Sequence, residues 1–394
     1  MRDATLSVHH PAVSEDGYAA LSVPTHRAST IVFPDAQAYA TRGKRSLDGY
    51  SYGLHGTPTQ KVLEAQLSAL EGAERTVILP SGQAAIAITF LTVLAAGDHV
   101  LIPDTAYPPV VGFCRNYLAP RGIDWSVYAP GIGAGIEAEI RAETKLIWME
   151  SPGSTTMEVE DVPAIVQVAK AKGILTGIDN TWATPLLFKP ISHGVDFSMQ
   201  ALTKYPGGHS DLLLGSVSVG SLEHRQRLRD TMRMLGLGVS PDTVGLVLRG
   251  METMAMRLSH MGRVATEIAE ELQDRGVGEV LFPALPSCQG HEIWKRDFAG
   301  ASGLLSVVLP EAAEANLDAA LDALEVFAIG ASWGGTRSLM APMSVAGSRA
   351  FPHGRNDRTI LRISIGLEDP RDLRQDLDRF FGILSGADGK TTAG

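Results

Sequence analysis

Lys204 is the residue of this sequence best placed to do covalent chemistry. In the segment 198–211, SMQALTKYPGGHSD, an apolar run leads into Thr203 and Lys204, and Gly207 and Gly208 follow. This pattern places Lys204 at a strand end or in a turn, because an exposed helical lysine would have neighbours at helical spacing. A half-buried amine has a lowered pKa or a partner, and can act as a nucleophile or form a Schiff base. A strand-end lysine that extends into solvent fits this segment equally well.

A carboxylate closes an earlier apolar run. Residues 173–182, GILTGIDNTW, predict a short strand that ends at Asp179, 25 residues before Lys204. Ligands of open α/β sheets bind beyond the carboxyl ends of the strands, so Asp179 would point into the binding crevice. Pyridoxal phosphate (PLP) enzymes use such a pair, because lysine holds the cofactor aldehyde as an imine and the acid keeps the pyridine nitrogen protonated. A metal-binding or structural acid is the alternative for Asp179 at this point.

A turn between a predicted strand and an apolar helix lies in the segment 77–94, VILPSGQAAIAITFLTVL. Glycine lets the backbone come close to an anion, and the first turn of a helix offers unpaired N–H groups at the positive end of its dipole. Gly82 and Gln83 are therefore the predicted phosphate-binding residues. Many strand-to-helix turns share this pattern, so the motif alone is weak.

These segments resemble the Cys/Met-metabolism family of PLP enzymes, which includes cystathionine synthases and lyases. SMQALTKYPGGHSD and GIDNTWATPLLFKP are similar to the segments that carry the cofactor-binding lysine and acid of the family. Four further segments are similar to its cystathionine β-lyase branch: ESPGSTTMEVEDVPAIV, GHEIWKRDFAGASGLLS, ASWGGTRSLMAP and LRISIGLEDPRDL. Together the segments extend over most of the chain.

The resemblance implies further cofactor-binding residues. Tyr107 matches the aromatic residue that stacks on the pyridine ring, and Thr203 adjoins the cofactor-binding lysine. Tyr52 matches a tyrosine that contacts the cofactor phosphate in the neighbouring subunit, and both tyrosines are expected to assist catalysis. The family usually has an arginine two residues after this tyrosine, where this chain has Leu54. His55 or an arginine elsewhere would then replace the missing phosphate ligand.

Arg362 is the predicted ligand of the substrate carboxylate. It lies among apolar residues of a predicted strand, where an arginine is either an edge-strand surface residue or a buried anion clamp. Guanidinium binds a carboxylate through two parallel hydrogen bonds, and the family places its carboxylate-binding arginine in this segment. Ser332 and Trp333 match the β-lyase form of a loop at the same site, whereas γ-acting relatives more often have Leu in place of Trp. A tyrosine of the β-lyase substrate pocket aligns roughly with Gly245. This difference leaves open which groups this chain accepts at the far end of the substrate.

The order of apolar and helical segments predicts an α/β fold. Short apolar runs alternate with helical segments from 76 to 218, which indicates a mostly parallel sheet with helices on both faces. A second alternation predicts a smaller α/β C-terminal domain, and the resemblance implies the PLP-dependent transferase fold type I. We expect an extended arm over 1–56 that contacts the neighbouring subunit, a PLP-binding large domain over 57–243, and a C-terminal domain over 244–394 with the substrate-carboxylate site. The family usually forms homotetramers, as pairs of active dimers.

Composition and charge limit the partners. A chain of 394 residues with 44% hydrophobic residues is long enough for two globular domains. The formal net charge of −10 argues against nucleic acid as a partner. No apolar run is long enough to cross a bilayer and the N-terminal segment does not follow the plan of a signal peptide, so we expect a cytoplasmic protein without a membrane partner. Cys114 and Cys288 predict neither a disulfide framework nor a zinc site, and no metal site is expected.

The predicted function is that of a PLP-dependent carbon–sulfur lyase with a small-molecule amino-acid substrate. Lys204 would remove the α-proton and the β-thiolate would leave, which gives homocysteine, pyruvate and ammonia from cystathionine. A cysteine or S-conjugate β-lyase, a γ-acting lyase or synthase, and a non-enzymatic protein of the same fold are the alternatives. Glu150 also closes a predicted strand, and we interpret it as a hydrogen-bonded structural group.

Overall fold

The computed structural model describes residues 16–44, 49–351 and 357–386. The described residues contain twelve strands: β1 Arg75–Leu79, β2 His99–Pro103, β3 Asp124–Tyr128, β4 Thr144–Glu150, β5 Leu175–Asp179, β6 Phe197–Ala201, β7 Gly215–Val219, β8 Glu279–Leu281, β9 Leu304–Val308, β10 Ala328–Ile329, β11 Leu339–Met343 and β12 Ile360–Ser364. Their α-helices are α1 Ala36–Ala40, α2 Pro58–Glu71, α3 Gly82–Val93, α4 Pro108–Phe113, α5 Val162–Ala171, α6 Thr184–Leu187, α7 Leu222–Met234, α8 Pro241–Arg275, α9 His291–Asp297, α10 Leu317–Asp322 and α11 Pro370–Leu384.

The larger sheet has seven strands in the order β1-β7-β6-β5-β4-β2-β3. β7 is antiparallel to both of its neighbours, and every other neighbouring pair is parallel. The predicted mostly parallel sheet is therefore confirmed. The apolar runs between 76 and 218 that predict strands all lie in this sheet: TVILP, HVLIP, KLIWME, ILTGID, FSMQAL and LLLGSVSV. No such run marks β3. β3 is an edge strand whose first residues, Asp124 to Ser126, are polar or partly exposed, so it does not form an apolar run.

The smaller sheet has five strands in the order β10-β11-β12-β9-β8. Its neighbouring pairs are antiparallel except for β10 and β11. This sheet confirms the predicted second α/β unit, in which the predicted runs GLLSVVLP, VFAIGASWGG and TILRISIGLE contain β9, β10 and β12. No predicted run contains β8 or β11. β8 has only three residues, and β11 contains Pro342, a residue that usually argues against a strand.

The long helix α8 packs with residues of both sheets in one apolar cluster. It begins after Ser240, whose hydroxyl accepts a hydrogen bond from the Asp242 N–H at 3.2 Å, and ends at Gly276 in the left-handed conformation. Along its buried face, Val264 and Ile268 belong to the same apolar cluster as residues of both sheets. The division of the chain at 243 and 244 falls inside the first turn of this helix, so it stays a prediction.

The described part of the predicted arm runs along the outside of the large unit. Most of its side chains between 16 and 44 are exposed, and it is held by a few polar contacts. The His26 N–H donates to the Thr59 hydroxyl at 2.8 Å, and Arg27 pairs with Asp242 at the start of α8. Residues 1–15 and 45–48 of this arm lie outside the described residues.

Glu71, the last residue of α2, is expected to make the stability of the fold depend on pH. Its buried carboxylate accepts hydrogen bonds at 2.9 Å from the side chains of Ser198 and Gln200 on β6, and burial raises its pKa to about 7. An unfolded glutamate titrates near pH 4.3. Between these two values the folded protein binds one proton more than the unfolded chain, so this contribution to stability is lost as pH rises towards 7.

The Glu71→Gln variant tests this dependence by urea unfolding. Between pH 5 and pH 8, we expect the free energy of unfolding of the unsubstituted protein to fall by roughly 2.5 kcal/mol relative to that of the variant. Glu74→Gln is the matched control, because this glutamate near the same helix end is half exposed and pairs with Arg75. Parallel pH profiles for the unsubstituted protein and Glu71→Gln would contradict the prediction.

Candidate active site

A cavity of about 250 Å³ lies at the carboxyl ends of β4, β5 and β6 and is bordered by the smaller sheet. Eight of the residues predicted from the sequence line it: Gly82, Gln83, Tyr107, Asp179, Thr203, Lys204, Trp333 and Arg362. Ser332 joins them through its contact with Lys204. The fold therefore brings together residues that lie up to 280 positions apart in the sequence.

Lys204 lies in a tight turn that follows β6. The Lys204 N–H donates to the Ala201 carbonyl at 3.1 Å, and the Lys204 carbonyl accepts from the Gly208 N–H at 2.7 Å. Arg257 of α8 binds this turn, because its guanidinium donates to the Tyr205 carbonyl at 2.9 Å. The same group donates to the Gly250 carbonyl of its own helix at 2.7 Å. Sequence reasoning missed Arg257, although an arginine on the apolar face of a long helix is an unusual position that signals a buried partner.

The Lys204 amine faces the cavity. Its Nζ donates to the Ser332 hydroxyl at 2.8 Å and lies 5.1 Å from the centre of the Trp333 ring. Burial, with the nearby charge of Arg362, lowers the pKa of Lys204 to about 8, while Asp179 opposes this shift. A substantial fraction of the amine is therefore neutral near pH 8 and able to accept a proton.

Asp179 and Glu150 end neighbouring strands in register, on β5 and β4. Burial raises the pKa of Asp179, and its carboxylate accepts a hydrogen bond from the Thr181 N–H at 2.9 Å. The pKa of Glu150 is raised well above its usual value by burial and by the adjacent Asp179. Glu150 accepts the Tyr107 N–H at 2.6 Å, which agrees with its interpretation as a hydrogen-bonded structural group.

The turn before α3 also lines the cavity. Ser81 caps the helix by accepting the Ala84 N–H at 3.1 Å, so the first N–H groups of the helix lie next to the cavity. A Cβ at Gly82 would lie 2.8 Å from the Cβ of Ala201 on β6, so only glycine fits there. In the described part of the chain, the buried Oε1 of Gln83 has no hydrogen-bond partner.

Thr203 lines the cavity, but its hydroxyl is engaged with the backbone. It donates to the Leu214 carbonyl at 3.2 Å and accepts the Leu214 N–H at 3.1 Å. These bonds fix the segment before Lys204 to the segment that leads into β7. A role of this hydroxyl in cofactor binding stays a prediction.

Arg362 is buried on β12, with 8% of its surface exposed. β12 lies between β11 and β9, so the edge-strand alternative for Arg362 is wrong. Its guanidinium donates to the Ala331 carbonyl and lines the cavity. Next to it, the Trp333 ring packs at 5.5 Å from the ring of the buried Tyr205.

The two predicted catalytic tyrosines are placed differently. Tyr107 lines the cavity, where burial, Asp179 and Glu150 raise its pKa. Tyr52 is 50% exposed and is not among the residues that line the cavity of its own chain. Its ring lies 6.2 Å from the ring of His55. A contact of Tyr52 with the cofactor of a neighbouring subunit therefore stays a prediction.

Residues 4–382 match the sequence model of the Cys/Met metabolism PLP-dependent enzymes. The chain belongs to this family. It is 45% identical over 375 residues to a putative cystathionine beta-lyase of Rhizobium johnstonii, covering 94% of this chain and 93% of the relative. It is 40% identical over 369 residues to cystathionine beta-lyase MetC of Escherichia coli, covering 91% and 92%. A solved structure of cystathionine gamma synthase from Xanthomonas oryzae pv. oryzae matches with a TM-score of 0.85 and 30% identity, covering 94% and 95% of the two chains.

Membership of the Cys/Met-metabolism family makes the protein an enzyme of PLP-dependent fold type I, with PLP as its cofactor. The cavity has the chemical groups that this cofactor requires. It offers an amine for the aldehyde, an acid for the ring nitrogen, and a helix N-terminus for the phosphate. Among the described residues, the buried amide oxygen of Gln83 has no partner, while its Nε2 donates to the Pro109 carbonyl at 3.4 Å.

Leu54 and Gly245, the two departures from the family pattern, have defined surroundings. A Cβ at Gly238 would lie 2.8 Å from the side chain of Leu54, so Leu54 packs against this glycine. Arg229 of α7 donates to the carbonyl of His55, the residue after Leu54, and its guanidinium lies 3.6 Å from the carboxylate of the buried Glu64. A cation therefore lies close to Leu54. Its use as a phosphate ligand stays a prediction. Gly245 is covered by the arm, because a Cβ there would lie 3.3 Å from Thr25.

The described ranges 16–44, 49–351 and 357–386 contain no group of three or more His, Cys, Asp or Glu side chains that could hold a metal ion. None of their helices is both long and apolar enough to cross a membrane. Cys114 and Cys288 are buried and are not joined by a disulfide bond, and burial raises the pKa of Cys114 to about 12.

Proposed function

We propose that this enzyme is a carbon–sulfur lyase that cleaves cystathionine by α,β-elimination to homocysteine, pyruvate and ammonia. The observation that carries the proposal is the meeting of Lys204, Asp179 and Arg362 in one cavity. They supply a base with a pKa of about 8, an acid for the cofactor ring and a buried cation for an amino-acid carboxylate. The relatives named cystathionine beta-lyase support the same reaction.

The residues proposed to hold the cofactor surround the cavity. Lys204 would bind the aldehyde, Asp179 the protonated ring nitrogen, and Gly82 and Gln83 the phosphate, with Tyr107 on the face of the ring. When bound, pyridoxal phosphate withdraws electrons from the α-carbon of the amino acid and so makes the α-proton acidic. Asp179 favours this effect because its negative charge stabilises the positively charged ring nitrogen.

The remaining steps are performed by side chains of the protein. Arg362 binds the α-carboxylate and orients the substrate, while Ser332 holds the Lys204 amine at its 2.8 Å hydrogen bond. Lys204 accepts the α-proton, which breaks the bond between hydrogen and the α-carbon. The bond between the β-carbon and sulfur then breaks with its electron pair on sulfur, and Lys204 returns the proton to the thiolate. The three-carbon remainder takes up water and leaves as pyruvate and ammonia.

The products from L-cystathionine test this proposal. β-Cleavage yields pyruvate, whereas γ-cleavage by a lyase of the same family yields 2-oxobutyrate. We expect the enzyme to release pyruvate and homocysteine in equal amounts. Chromatography distinguishes pyruvate from 2-oxobutyrate. 2-Oxobutyrate as the main product would support the γ-acting alternative, and the absence of both keto acids would contradict lyase activity.

We also propose that the enzyme is a homotetramer of paired dimers, in which Tyr52 of each arm completes the site of its neighbour. Two observations support this arrangement: the arm is largely exposed on its own chain, and Tyr52 does not line the cavity that contains Lys204. In a two-fold symmetric dimer each chain offers the same surface to its neighbour, so one interface can bring the Tyr52 of each arm to the site of the other chain.

Hybrid dimers test the exchange of Tyr52. If Tyr52 acts in the neighbouring subunit, co-expression of differently tagged Tyr52→Ala and Lys204→Ala chains gives hybrid dimers in which one site carries both changes and the other carries neither. The purified hybrid should then recover about half of the activity of the unsubstituted dimer, although each parent is nearly inactive. Hybrids as inactive as their parents would show that Tyr52 serves its own chain.

A cytoplasmic location completes the proposal. The two cysteines are buried and are not joined by a disulfide bond, which is typical of proteins from reducing compartments. Cell fractionation followed by immunoblotting should find the enzyme with cytoplasmic markers, and recovery with secreted or membrane markers would contradict this location.

A further inference from the structure

One face of α7 carries three arginines. Arg225, Arg229 and Arg233 follow each other at intervals of four residues, so their side chains lie along the same side of the helix. All three line a second cavity of about 220 Å³, which shares no described lining residue with the cavity that contains Lys204. Like charges at this spacing destabilise a helix. An anion bound across the three arginines would remove this repulsion.

The three arginines lie at different depths. Arg225 is buried, with 1% of its surface exposed, and only 16% of the Arg229 side chain is exposed. The Arg233 side chain is 61% exposed. Arginine stays charged even when it is buried. The positive charges of α7 therefore extend from the interior of the protein to its surface.

Arginines outnumber carboxylates around this second cavity. Its described lining residues include a fourth arginine, Arg42 of the arm, and a single carboxylate, that of Asp230. Asp230 pairs with Arg233 at 3.2 Å and accepts a hydrogen bond from the Gln226 side chain at 2.9 Å. One carboxylate cannot balance four guanidinium groups, so the lining has an excess of positive charge.

Glu64 lies just outside the lining and does not remove this excess. Its carboxylate lies 3.6 Å from Arg229 but is paired more closely with Lys61, at 2.8 Å. His55, which lines the cavity, responds to the remaining charge. Its pKa is lowered by burial and by the positive charges of Arg229, Arg233 and Lys61. The cations near His55 therefore outweigh the carboxylates.

From the spacing, the burial and the charge of these arginines we propose that the second cavity binds a phosphate group. Guanidinium groups bind phosphate oxygens through paired hydrogen bonds, and the Ser51 hydroxyl lies on a residue of the same lining. Free phosphate is one source of such a group. The cofactor phosphate of a neighbouring chain is the other, because Ser51 and Leu54, which line the cavity, flank Tyr52 of the arm. The proposal does not depend on the lyase reaction.

Calorimetric titration of the cofactor-loaded enzyme with inorganic phosphate, at constant ionic strength, tests for binding of free phosphate. We expect a Kd for phosphate that is raised by about tenfold or more in Arg233→Gln, because a charged hydrogen bond is lost. Arg233 is exposed, so its substitution should not disturb the fold. Arg263→Gln is the matched control, because Arg263 is 57% exposed and pairs with Glu267 on α8. It should leave the Kd unchanged.

Retention of the cofactor tests the other source. If the phosphate of the neighbouring chain's cofactor fills the cavity, the loaded enzyme binds no additional phosphate. Arg233→Gln should then raise the Kd for pyridoxal phosphate by about tenfold, as measured by cofactor absorbance after equilibrium dialysis, and Arg263→Gln should not.

One combined result would overturn the proposal. It is an Arg233→Gln variant that changes neither the phosphate affinity of the loaded enzyme nor the Kd for pyridoxal phosphate. Pyruvate release from cystathionine by the unsubstituted enzyme tests the lyase function separately. The phosphate site and the lyase function can therefore fail independently of each other.

Discussion

The Lys204→Ala variant is expected to release pyruvate from cystathionine with a kcat/KM lowered by about a thousandfold or more. The amine at position 204 is proposed both to hold the cofactor and to carry the α-proton, so its removal abolishes two functions together. Loss of a general base alone costs on the order of 10²- to 10⁴-fold. Steady-state assays with cofactor-saturated protein measure the effect.

Two further variants test whether the lost activity is due to the missing base. One keeps the positive charge at position 204, and the other removes a lysine elsewhere on the surface. Lys204→Arg keeps a positive charge but cannot release its proton near neutral pH, so it should be as inactive as Lys204→Ala. Lys145→Ala removes an exposed lysine on β4 and should retain the activity of the unsubstituted enzyme. A Lys204→Ala variant that keeps a tenth or more of the activity would contradict the assignment.

The Arg362→Ala variant is expected to lower kcat/KM by roughly 100-fold or more, mainly through a higher KM. A buried guanidinium can make two hydrogen bonds to a carboxylate, each worth about 1.5–3 kcal/mol when charged. Removing it leaves the substrate carboxylate in the cavity without its partner. The kcat/KM of Arg362→Lys should lie between those of the unsubstituted enzyme and Arg362→Ala, because an ammonium keeps the charge but loses the two parallel hydrogen bonds.

The control for Arg362 is Arg371→Ala. Arg371 lies at the start of α11, is largely exposed and pairs with Asp369, so its loss should leave KM unchanged. Cofactor absorbance of Arg362→Ala should match that of the unsubstituted enzyme, since Arg362 is not proposed to hold the cofactor. An unchanged KM in Arg362→Ala would show that the carboxylate binds elsewhere.

The central strands could be predicted from the sequence because both faces of a parallel sheet are buried. β4, β5 and β6 therefore appear as mostly apolar runs, and Asp179 and Lys204 lie at or just after the ends of β5 and β6. Edge strands such as β3 and the three-residue β8 carry no such signal, because their pairing is set by neighbours distant in sequence. The long helix α8 begins with a proline and is followed by a glycine, both of which are sequence signals of helix ends.

The members of the candidate site could be predicted more completely than their mutual contacts. Lys204 and Asp179 stand out by residue type at strand ends. In contrast, the hold of Arg257 on the Lys204 turn and the bond from Tyr107 to Glu150 join residues more than 40 positions apart. Such contacts depend on tertiary packing, which the local pattern does not contain. The burial that lowers the pKa of Lys204 to about 8 is likewise a property of the folded cavity.

Borohydride reduction of the cofactor-loaded enzyme, followed by proteolysis and mass spectrometry, tests the assignment of Lys204 most directly. Reduction makes the bond between the cofactor and its lysine permanent, so the modified peptide identifies the residue. The account predicts a pyridoxyl group on Lys204, in the peptide that contains TKYPGGHSD. The same group on another lysine, or on none, would contradict it.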